Sequence, residues 1–198
     1  PLRLVGSEMC IRDRLASCGK ATTRMEVRID SPDPKTHAGE IVCRGANMML
    51  GYYKNPEATA QIIDVNGWLH TGDLGVMDEE GYVTVRGRSK NMLLTSSGQN
   101  IYPEEIESKL NNMPYVAESL IVLQHDKLVA LIYPDFDDAF AHGMEQSDIE
   151  KVMEDNRNEL NLQLPAYSQI TKVKIHFEEF EKTAKKSIKR FMYQEVKG

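Results

Sequence analysis

The segment of this sequence that could most clearly bind a ligand is short, comprising residues 67–73 (GWLHTGD). Thr71, Gly72 and Asp73 predict a tight turn between two folded elements, because small and polar residues favour turns. A carboxylate at such a bend suits a vicinal diol, since its two oxygens accept hydrogen bonds from both hydroxyls of a ribose. The alternative is that Asp73 only caps the turn.

Strands, turns and one helix surround this segment in the first half of the chain. Residues 25–29 and 39–43 alternate between apolar and polar side chains, which predicts two strands. Asn55 is a good helix cap, and residues 56–63 continue as a helix. Residues 82–86 alternate again and predict a further strand.

The pattern changes in the second half. Residues 91–95 predict a short apolar strand, and residues 96–100 a polar, flexible loop. A helix opens at Pro103, and three apolar residues at spacings of four and three define its buried face. These residues are Ile106, Leu110 and Met113.

Two β-rich runs follow, at residues 117–123 and 128–133, and the short polar turn between them predicts an antiparallel hairpin. Ser147 and Glu150 have the spacing of a capping box before another helix. Residues 171–177 alternate as a last strand. Helix, hairpin, helix and strand predict a compact α+β unit from about Asn91 onward.

Composition excludes several classes of function. The formal net charge is −6, which argues against general nucleic-acid binding. No apolar run approaches the roughly 20 residues of a membrane span. The chain has three cysteines without CxxC spacing and five scattered histidines, so neither a disulfide framework nor a metal site is expected. A reducing cytoplasm fits this cysteine usage best.

Further motifs flank residues 67–73 in a fixed order. They are residues 39–45 (GEIVCRG), 51–59 (GYYKNPEAT), 81–90 (GYVTVRGRSK) and 97–107 (SGQNIYPEEIE). The ordered set resembles the adenylate-forming superfamily of acyl-CoA synthetases, peptide-synthetase adenylation domains and beetle luciferases. The resemblance covers residues 15–193, and residues 89–103 are closest to bacterial long-chain fatty acid–CoA ligases.

The resemblance implies an α+β fold. The end of a large, β-rich N-terminal domain would be followed by a small C-terminal domain with a hairpin or three-stranded sheet and flanking helices. The implied boundaries are 15–89 for the former and 90–198 for the latter. Residues 1–14 show neither periodicity nor turn signals, and are either a loop or strand of a larger body or non-native sequence.

The resemblance also implies two nucleotide-binding residues. Asp73 matches the acid that holds the ribose hydroxyls of ATP and of the acyl-adenylate. Arg88 matches an arginine that contacts the ribose or a phosphate of the nucleotide, a task suited to a guanidinium fork.

Lys90 falls on the implied hinge between the domains, where the alternative is an ordinary surface lysine. Ser97, Gly98 and Gln99 match the loop that approaches the pantetheine of CoA. A side chain in place of Gly98 would block close passage of ligand or backbone, although Gly98 alone also fits an ordinary turn.

A lysine near the C-terminus of family members lies in a pattern like Pro-Lys-Thr-x-x-Gly-Lys-Ile. Residues 182–188 (KTAKKSI) match it without a gap and place Ser187 where that lysine stands. The lysine neutralises charge as the acyl carboxylate attacks the α-phosphate, and we predict that Lys186, one position away, does so here. The alternative is a solvated basic face formed by Lys182, Lys185, Lys186 and Lys189.

Two motifs of the family do not occur in this sequence. One is the Ser/Thr/Gly-rich phosphate loop, and the other is a Tyr-Gly-x-Thr-Glu-like stretch that packs on adenine and helps to bind magnesium. Both precede Leu15 in the family, as does the acyl pocket. The chain is therefore expected to be a C-terminal fragment that is inactive alone.

The resemblance implies that the intact protein uses ATP, Mg2+ and CoA to activate a carboxylic acid, with a fatty acid as the preferred substrate and the Mg2+ site in the absent part. Two alternatives stay open. One is a non-catalytic binding or interaction module, and the other is the adenylation domain of a peptide synthetase.

Overall fold

The structure is a computed structural model that describes residues 17–194. The chain divides into two compact units between Asn91 and Met92. Each unit combines strands with helices, so the predicted α+β class is confirmed. The two interpretations of residues 1–14 concern a segment outside the described residues.

A four-stranded antiparallel sheet forms the first unit, with its strands in chain order. The strands are β1 (Met25–Asp30), β2 (Gly39–Gly45), β3 (Leu69–Met77) and β4 (Val83–Arg88). Sequence alternation predicted β1, β2 and β4, and all three are confirmed. Ile29 lies opposite Ile41 in the β1–β2 ladder, and both pack with Val83 in a small core.

The first unit also contains the predicted helix, α1 (Pro56–Ile62). The Asn55 side-chain oxygen accepts a hydrogen bond of 3.0 Å from the backbone N–H of Ala58. This contact satisfies one of the N–H groups that a helix start leaves without a partner. Asn55 is therefore the cap that the sequence predicted.

A three-stranded sheet organises the second unit, in the order β7 (Val116–Gln124), β8 (Lys127–Pro134) and β9 (Lys172–Ile175). The β7–β8 pair is the predicted antiparallel hairpin, and β9 runs parallel to β8. His125 and Asp126 connect the hairpin, and both have positive φ, at 48° and 62°. A two-residue turn of this kind matches the twist of the flanking strands.

Helices and one small hairpin complete the second unit. They are β5 (Leu93–Leu94), β6 (Asn100–Ile101), α2 (Pro103–Leu110), α3 (Phe136–Ala141) and α4 (Gln146–Gln163). No helix among residues 17–194 is long and apolar enough to cross a membrane. The main core joins α2 and α4 to one face of the sheet through Ile106, Leu110, Ile121, Ile132, Ile149, Met153 and Leu160.

The opposite face of the β7–β8 hairpin is also buried. Leu120, Val122, Val129 and Leu131 form a second cluster there with Phe180. Ile188 and Tyr193 pack against the same cluster. The segment after β9 therefore covers a sheet face that would otherwise expose apolar side chains to water.

The bounds of two predicted strands in the second unit were wrong. The strand predicted at residues 91–95 is limited to β5, because Ser89–Asn91 forms a 3-10 turn. The predicted strand at residues 171–177 ends at Ile175, and Phe177 beyond it is exposed.

The capping box predicted for Ser147 and Glu150 was also wrong. Helix α4 begins at Gln146, and Asp148 accepts a 2.9 Å hydrogen bond from the backbone N–H of Glu145. Glu145 is the capping residue, so Ser147 already lies within the first turn. The carboxylate of Asp148 reaches back as the third helical residue of a capping box does.

Candidate functional site

The segment around Asp73 is an irregularity within strand β3, so the turn predicted for residues 71–73 was wrong. Val42 of β2 lies opposite His70, but Glu40 lies opposite Leu74, so three residues of β3 face one residue of β2. Gly72 has a φ of +71°, a conformation that costs glycine little. Extra residues on one strand form a bulge, which re-aims side chains without ending the sheet.

Hydrogen bonds from β2 hold this bulge in place. Thr71 Oγ1 donates to the backbone carbonyl of Ile41 at 2.7 Å, and the backbone N–H of Asp73 donates to Thr71 Oγ1 at 3.1 Å. The backbone N–H of Gly72 donates to Glu40 Oε1 at 2.9 Å. The backbone at Asp73 is therefore fixed by contacts that do not use its own carboxylate.

Sequence reasoning missed Glu40 as a supporting residue. Its carboxylate holds Gly72 through Oε1, while Oε2 lies 2.7 Å from Nδ1 of His70. His70 Nε2 lies 3.9 Å from the carboxylate of Asp64 on its other side. The Gly-Glu pair at residues 39–40 belongs to one of the sequence motifs described above, but it does not indicate what Glu40 contacts. The contact between Glu40 and Gly72 depends on the register of the bulge against β2.

The residue before β3 anchors the same region. Trp68 is buried, and two guanidinium groups contact its ring, that of Arg28 at 4.2 Å and that of Arg44 at 4.7 Å from the ring centre. Asp64 accepts a 2.9 Å hydrogen bond from the backbone N–H of Trp68, and this contact lowers the pKa of the Asp64 carboxyl. The start of β3 is thus packed and hydrogen-bonded ahead of the bulge.

The two predicted nucleotide-binding residues lie side by side. Asp73 is directly opposite Arg88 in the β3–β4 ladder, and Arg88 Nε lies 2.9 Å from Asp73 Oδ1. Arg88 Nη1 also donates to the carbonyl of Thr71 at 3.2 Å. The Asp73 and Arg88 side chains are 30% and 53% exposed, respectively, so a carboxylate acceptor and a guanidinium donor are both accessible from solvent.

Lys90 lies in the Ser89–Asn91 turn directly after β4, and it is exposed. The division between the two compact units follows one residue later. Lys90 belongs neither to a sheet nor to a core cluster of the described chain.

The predicted CoA-binding loop, Ser97, Gly98 and Gln99, is the tip of the β5–β6 hairpin. Gly98 has a φ of +78°, and a Cβ added to it would meet nothing within 4 Å. Within this structure Gly98 is therefore required by the turn conformation, and not by close approach of the chain. Asp126 of the β7–β8 turn accepts a 2.9 Å hydrogen bond from the backbone N–H of Ser96, which holds the base of the loop.

The predicted catalytic lysine lies in a second tight loop, residues 183–187, which we call the lysine loop. Lys182 and Ile188 form a β-bridge at its base. The backbone N–H of Thr183 donates to the carbonyl of Ser187 at 2.8 Å, and that of Lys186 donates to the carbonyl of Thr183 at 2.8 Å. Lys186 has a φ of +60°, in the left-handed region that favours glycine.

This conformation agrees with the gap-free match to the family pattern. Lys186 stands where that pattern has its glycine, and Ser187 stands where it has its lysine. The positive φ of Lys186 therefore falls at the glycine position of that pattern.

The lysines of this region fall into two groups. Lys182 makes ion pairs with Glu118 and Glu179. The hydrogen bond to Glu118 is the main cause of a raised pKa of Lys182, and the hydrogen bond to Glu179 raises it further. Lys189 pairs with Glu181 at 3.3 Å. Lys185 and Lys186 have no carboxylate contact among residues 17–194. Lys182 and Lys189 therefore have carboxylate partners, whereas Lys185 and Lys186 are exposed at the loop tip.

Residues 90–195 match the family model described as AMP-binding enzyme C-terminal domain. This match covers more than half of the chain, so the chain belongs to the family of AMP-binding enzymes.

Two curated relatives illustrate the range of that family. The chain is 48% identical over 104 residues to the 3-[(3aS,4S,7aS)-7a-methyl-1,5-dioxo-octahydro-1H-inden-4-yl]propanoyl:CoA ligase of Rhodococcus jostii strain RHA1, covering 52% of the chain and 19% of that ligase. It is 32% identical over 194 residues to probable acyl-activating enzyme 10 of Arabidopsis thaliana, covering 93% of the chain and 35% of that enzyme. The chain therefore spans 19% to 35% of the length of these relatives.

A solved structure supports the fold. The o-succinylbenzoate CoA synthetase of Bacillus subtilis, in complex with its acyl-adenylate intermediate, superposes with a TM-score of 0.74 at 25% identity, covering 93% of this chain and 37% of that one. The predicted fold, the end of the large adenylate-forming domain followed by the small α+β domain, is confirmed by this likeness.

Proposed function

We propose that this chain is the C-terminal part of an ATP-dependent, AMP-forming acyl-CoA ligase. The observation that carries the proposal is the Asp73–Arg88 pair, 2.9 Å apart in a chain whose residues 90–195 match the family. In the first step a carboxylate oxygen attacks the α-phosphorus of ATP and pyrophosphate leaves. In the second step the sulfur of CoA attacks the acyl carbon and AMP leaves.

Asp73 and Arg88 are proposed to bind the nucleotide. The Asp73 carboxylate accepts hydrogen bonds from the ribose hydroxyls, and the bulge keeps it in place through backbone contacts. Arg88 has five N–H donors, of which the contacts with Asp73 and Thr71 use two, so it can also donate to a ribose or phosphate oxygen.

Lys186 is proposed to supply positive charge in the first step. Negative charge develops on the α-phosphate as the carboxylate attacks, and a preorganised cation stabilises it. The separation of Lys186 from structural carboxylates supports this choice over Lys182 and Lys189. Its neighbour Lys185 shares that separation and is the natural control.

Residues 15–89 are proposed to be the end of the large domain, and residues 90–198 the mobile small domain. The two steps are proposed to use different faces of this small domain. Lys90 is the proposed hinge, because an exposed turn between two compact units can change its backbone dihedrals without repacking a core. The loop of Ser97, Gly98 and Gln99 is proposed to approach the pantetheine of CoA in the second step.

The intact protein is proposed to use Mg2+ with ATP and to work in the cytoplasm. Among residues 17–194, no group of three or more His, Cys, Asp or Glu side chains is arranged to hold a metal ion. The residues that the structure describes therefore do not fit a metal site of their own.

The acid is proposed to be a long-chain fatty acid, on the strength of the sequence at residues 89–103. Relatives of this chain are named for other acids, among them o-succinylbenzoate, so these acids serve as competing substrates in the test. The full-length enzyme is expected to convert palmitate to its CoA ester with a kcat/KM at least about 100-fold above that for acetate, since each buried CH2 contributes about 0.8 kcal/mol. Mass spectrometry of the acyl-CoA formed from palmitate, octanoate, acetate and o-succinylbenzoate measures this preference. A higher kcat/KM for o-succinylbenzoate than for palmitate would overturn the fatty-acid assignment.

Replacing Asp73 by Ala in the full-length enzyme is expected to lower kcat/KM for ATP by about 2 to 3 kcal/mol, roughly 100-fold, because two ribose hydroxyls lose a charged acceptor. Glu26→Ala is the matched control, since it removes an exposed carboxylate from the same sheet. Equal thermal unfolding midpoints of the two variants and the wild type would show that the sheet is intact. Unchanged kinetics for ATP would reduce Asp73 to a structural residue of the bulge.

A further inference from the structure

One charged side chain of the second unit lies deep in its core. Glu107 of α2 is 7% exposed and lies between two core residues of the same helix, Ile106 and Leu110. Burial raises the pKa of the Glu107 carboxyl, because leaving water disfavours its charged form. A buried carboxylate without partners would be strongly unfavourable, so its contacts explain why it is tolerated.

The partners of Glu107 come from two distant parts of the chain. Its Oε1 accepts a 2.7 Å hydrogen bond from the backbone N–H of Ile121, on strand β7. Because β7 is at the edge of its sheet among the described strands, this contact satisfies a backbone donor that none of those strands pairs. Both carboxylate oxygens also accept from the guanidinium of Arg190, with Nη1 at 2.8 Å from Oε1. A two-point contact of this kind fixes direction as well as distance.

Arg190 follows the lysine loop by three residues, so the ion pair fixes the end of that loop. The start of the loop is fixed in the same way, because Lys182 pairs with Glu118 on β7. Between these anchors Ile188 packs into the second core cluster. The loop tip with Lys186 is exposed, but both of its stems are tied to α2 and β7.

We propose that the Glu107–Arg190 pair positions the lysine loop for the adenylation step. Both are positioning residues, acting through the loop and not on the reacting atoms. This inference rests on the proposed function for its catalytic consequence, while its structural part can be judged without any activity. Loss of the pair would free the end of the loop and leave the β5–β6 loop of the second step unaffected.

The first test measures the loop itself, by hydrogen exchange and mass spectrometry of the full-length enzyme. In Glu107→Gln, amides of residues 181–193 should exchange at least roughly 10-fold faster, as when a local opening loses a stabilising contact. Amides of β8 should keep their protection. Glu154→Gln is the matched control, because it breaks a Glu–Arg pair of 2.7 Å with Arg157 on α4, away from the loop. Unchanged exchange of residues 181–193 in Glu107→Gln would overturn the anchoring role.

The second test separates the half-reactions of the same variants. Glu107→Gln should lower acyl-AMP formation by roughly 10- to 100-fold, the scale expected for a misplaced catalytic group. Thioester formation from supplied acyl-AMP should stay within about twofold of wild type. Arg190→Lys keeps the charge but loses the two-point contact, and should show a smaller loss in the same step.

The outcomes distinguish the two proposals. Faster exchange with normal adenylation, or equal loss in both half-reactions, would make the pair structural only and overturn the positioning role. If the wild-type enzyme itself formed no acyl-AMP, the proposed function would fail, and hydrogen exchange would still judge whether the pair anchors the loop.

Discussion

Lys186→Ala in the full-length enzyme is expected to slow acyl-adenylate formation by about 100-fold or more, the usual loss when one preorganised charge is removed from a developing anion. Thioester formation from supplied acyl-AMP should be nearly unchanged. Alanine is a fair replacement because, like lysine, it carries a Cβ in the left-handed conformation that Lys186 adopts, so the backbone strain stays similar. Pyrophosphate exchange measures the first step, and acyl-CoA formation from acyl-AMP measures the second.

Lys185→Ala is the matched control for this experiment. Lys185 and Lys186 are neighbours in the same exposed loop, and neither contacts a carboxylate among the described residues. A larger defect in Lys185→Ala would move the catalytic charge to that residue. Normal adenylation in both variants would leave the lysines as a solvated basic surface.

Lys90→Pro should separate the two half-reactions most sharply. Proline fixes φ near about −65° and removes the backbone N–H, and it also restricts Ser89 before it. A hinge that cannot rotate traps the small domain in one pose. One half-reaction should then survive while the other falls by about 100-fold, the scale of a misplacement of about 1 Å.

Lys90→Ala is the control, because it removes the side chain and leaves the backbone free to rotate. It should retain both half-reactions far better than Lys90→Pro. Equal losses of both steps in the proline variant would indicate misfolding, and full activity in both would place the hinge elsewhere in the chain.

The elements that sequence alone predicted depend on neighbouring residues. Helix α1 starts where Asn55 and Pro56 indicated, because a cap acts over three residues. The β7–β8 hairpin follows from two apolar runs around a short turn. In each case the residues that indicate the element are close in sequence to the element itself.

The features that sequence did not predict depend on distant pairs. The bulge at Gly72 is defined by its register against β2. The triplet Thr-Gly-Asp does not reveal this register, because the same triplet also occurs in turns. Glu107 looked like an ordinary helix residue, since its partner Arg190 is 83 positions away. The start of α4 was misplaced because Glu145 with Asp148 forms the cap that Ser147 seemed to offer.

Asp73 and Arg88 fall between these cases. The motifs around them indicated a common ligand, but only the β3–β4 register places the two side chains directly opposite each other. The irregularities beside them, at Gly72 and between Leu74 and Gly75, make that register impossible to count from the sequence.

If this chain completes an enzyme that activates carboxylic acids as adenylates, the nucleotide released from ATP is AMP and not ADP. The full-length enzyme, supplied with ATP, CoA and palmitate, is expected to release AMP and pyrophosphate in equal amounts with palmitoyl-CoA. Without CoA, palmitoyl-AMP should accumulate on the enzyme. The 198-residue chain alone should form neither palmitoyl-AMP nor palmitoyl-CoA. Release of ADP and phosphate, or no nucleotide turnover with palmitate, octanoate, acetate or o-succinylbenzoate, would rule out adenylate formation by this enzyme.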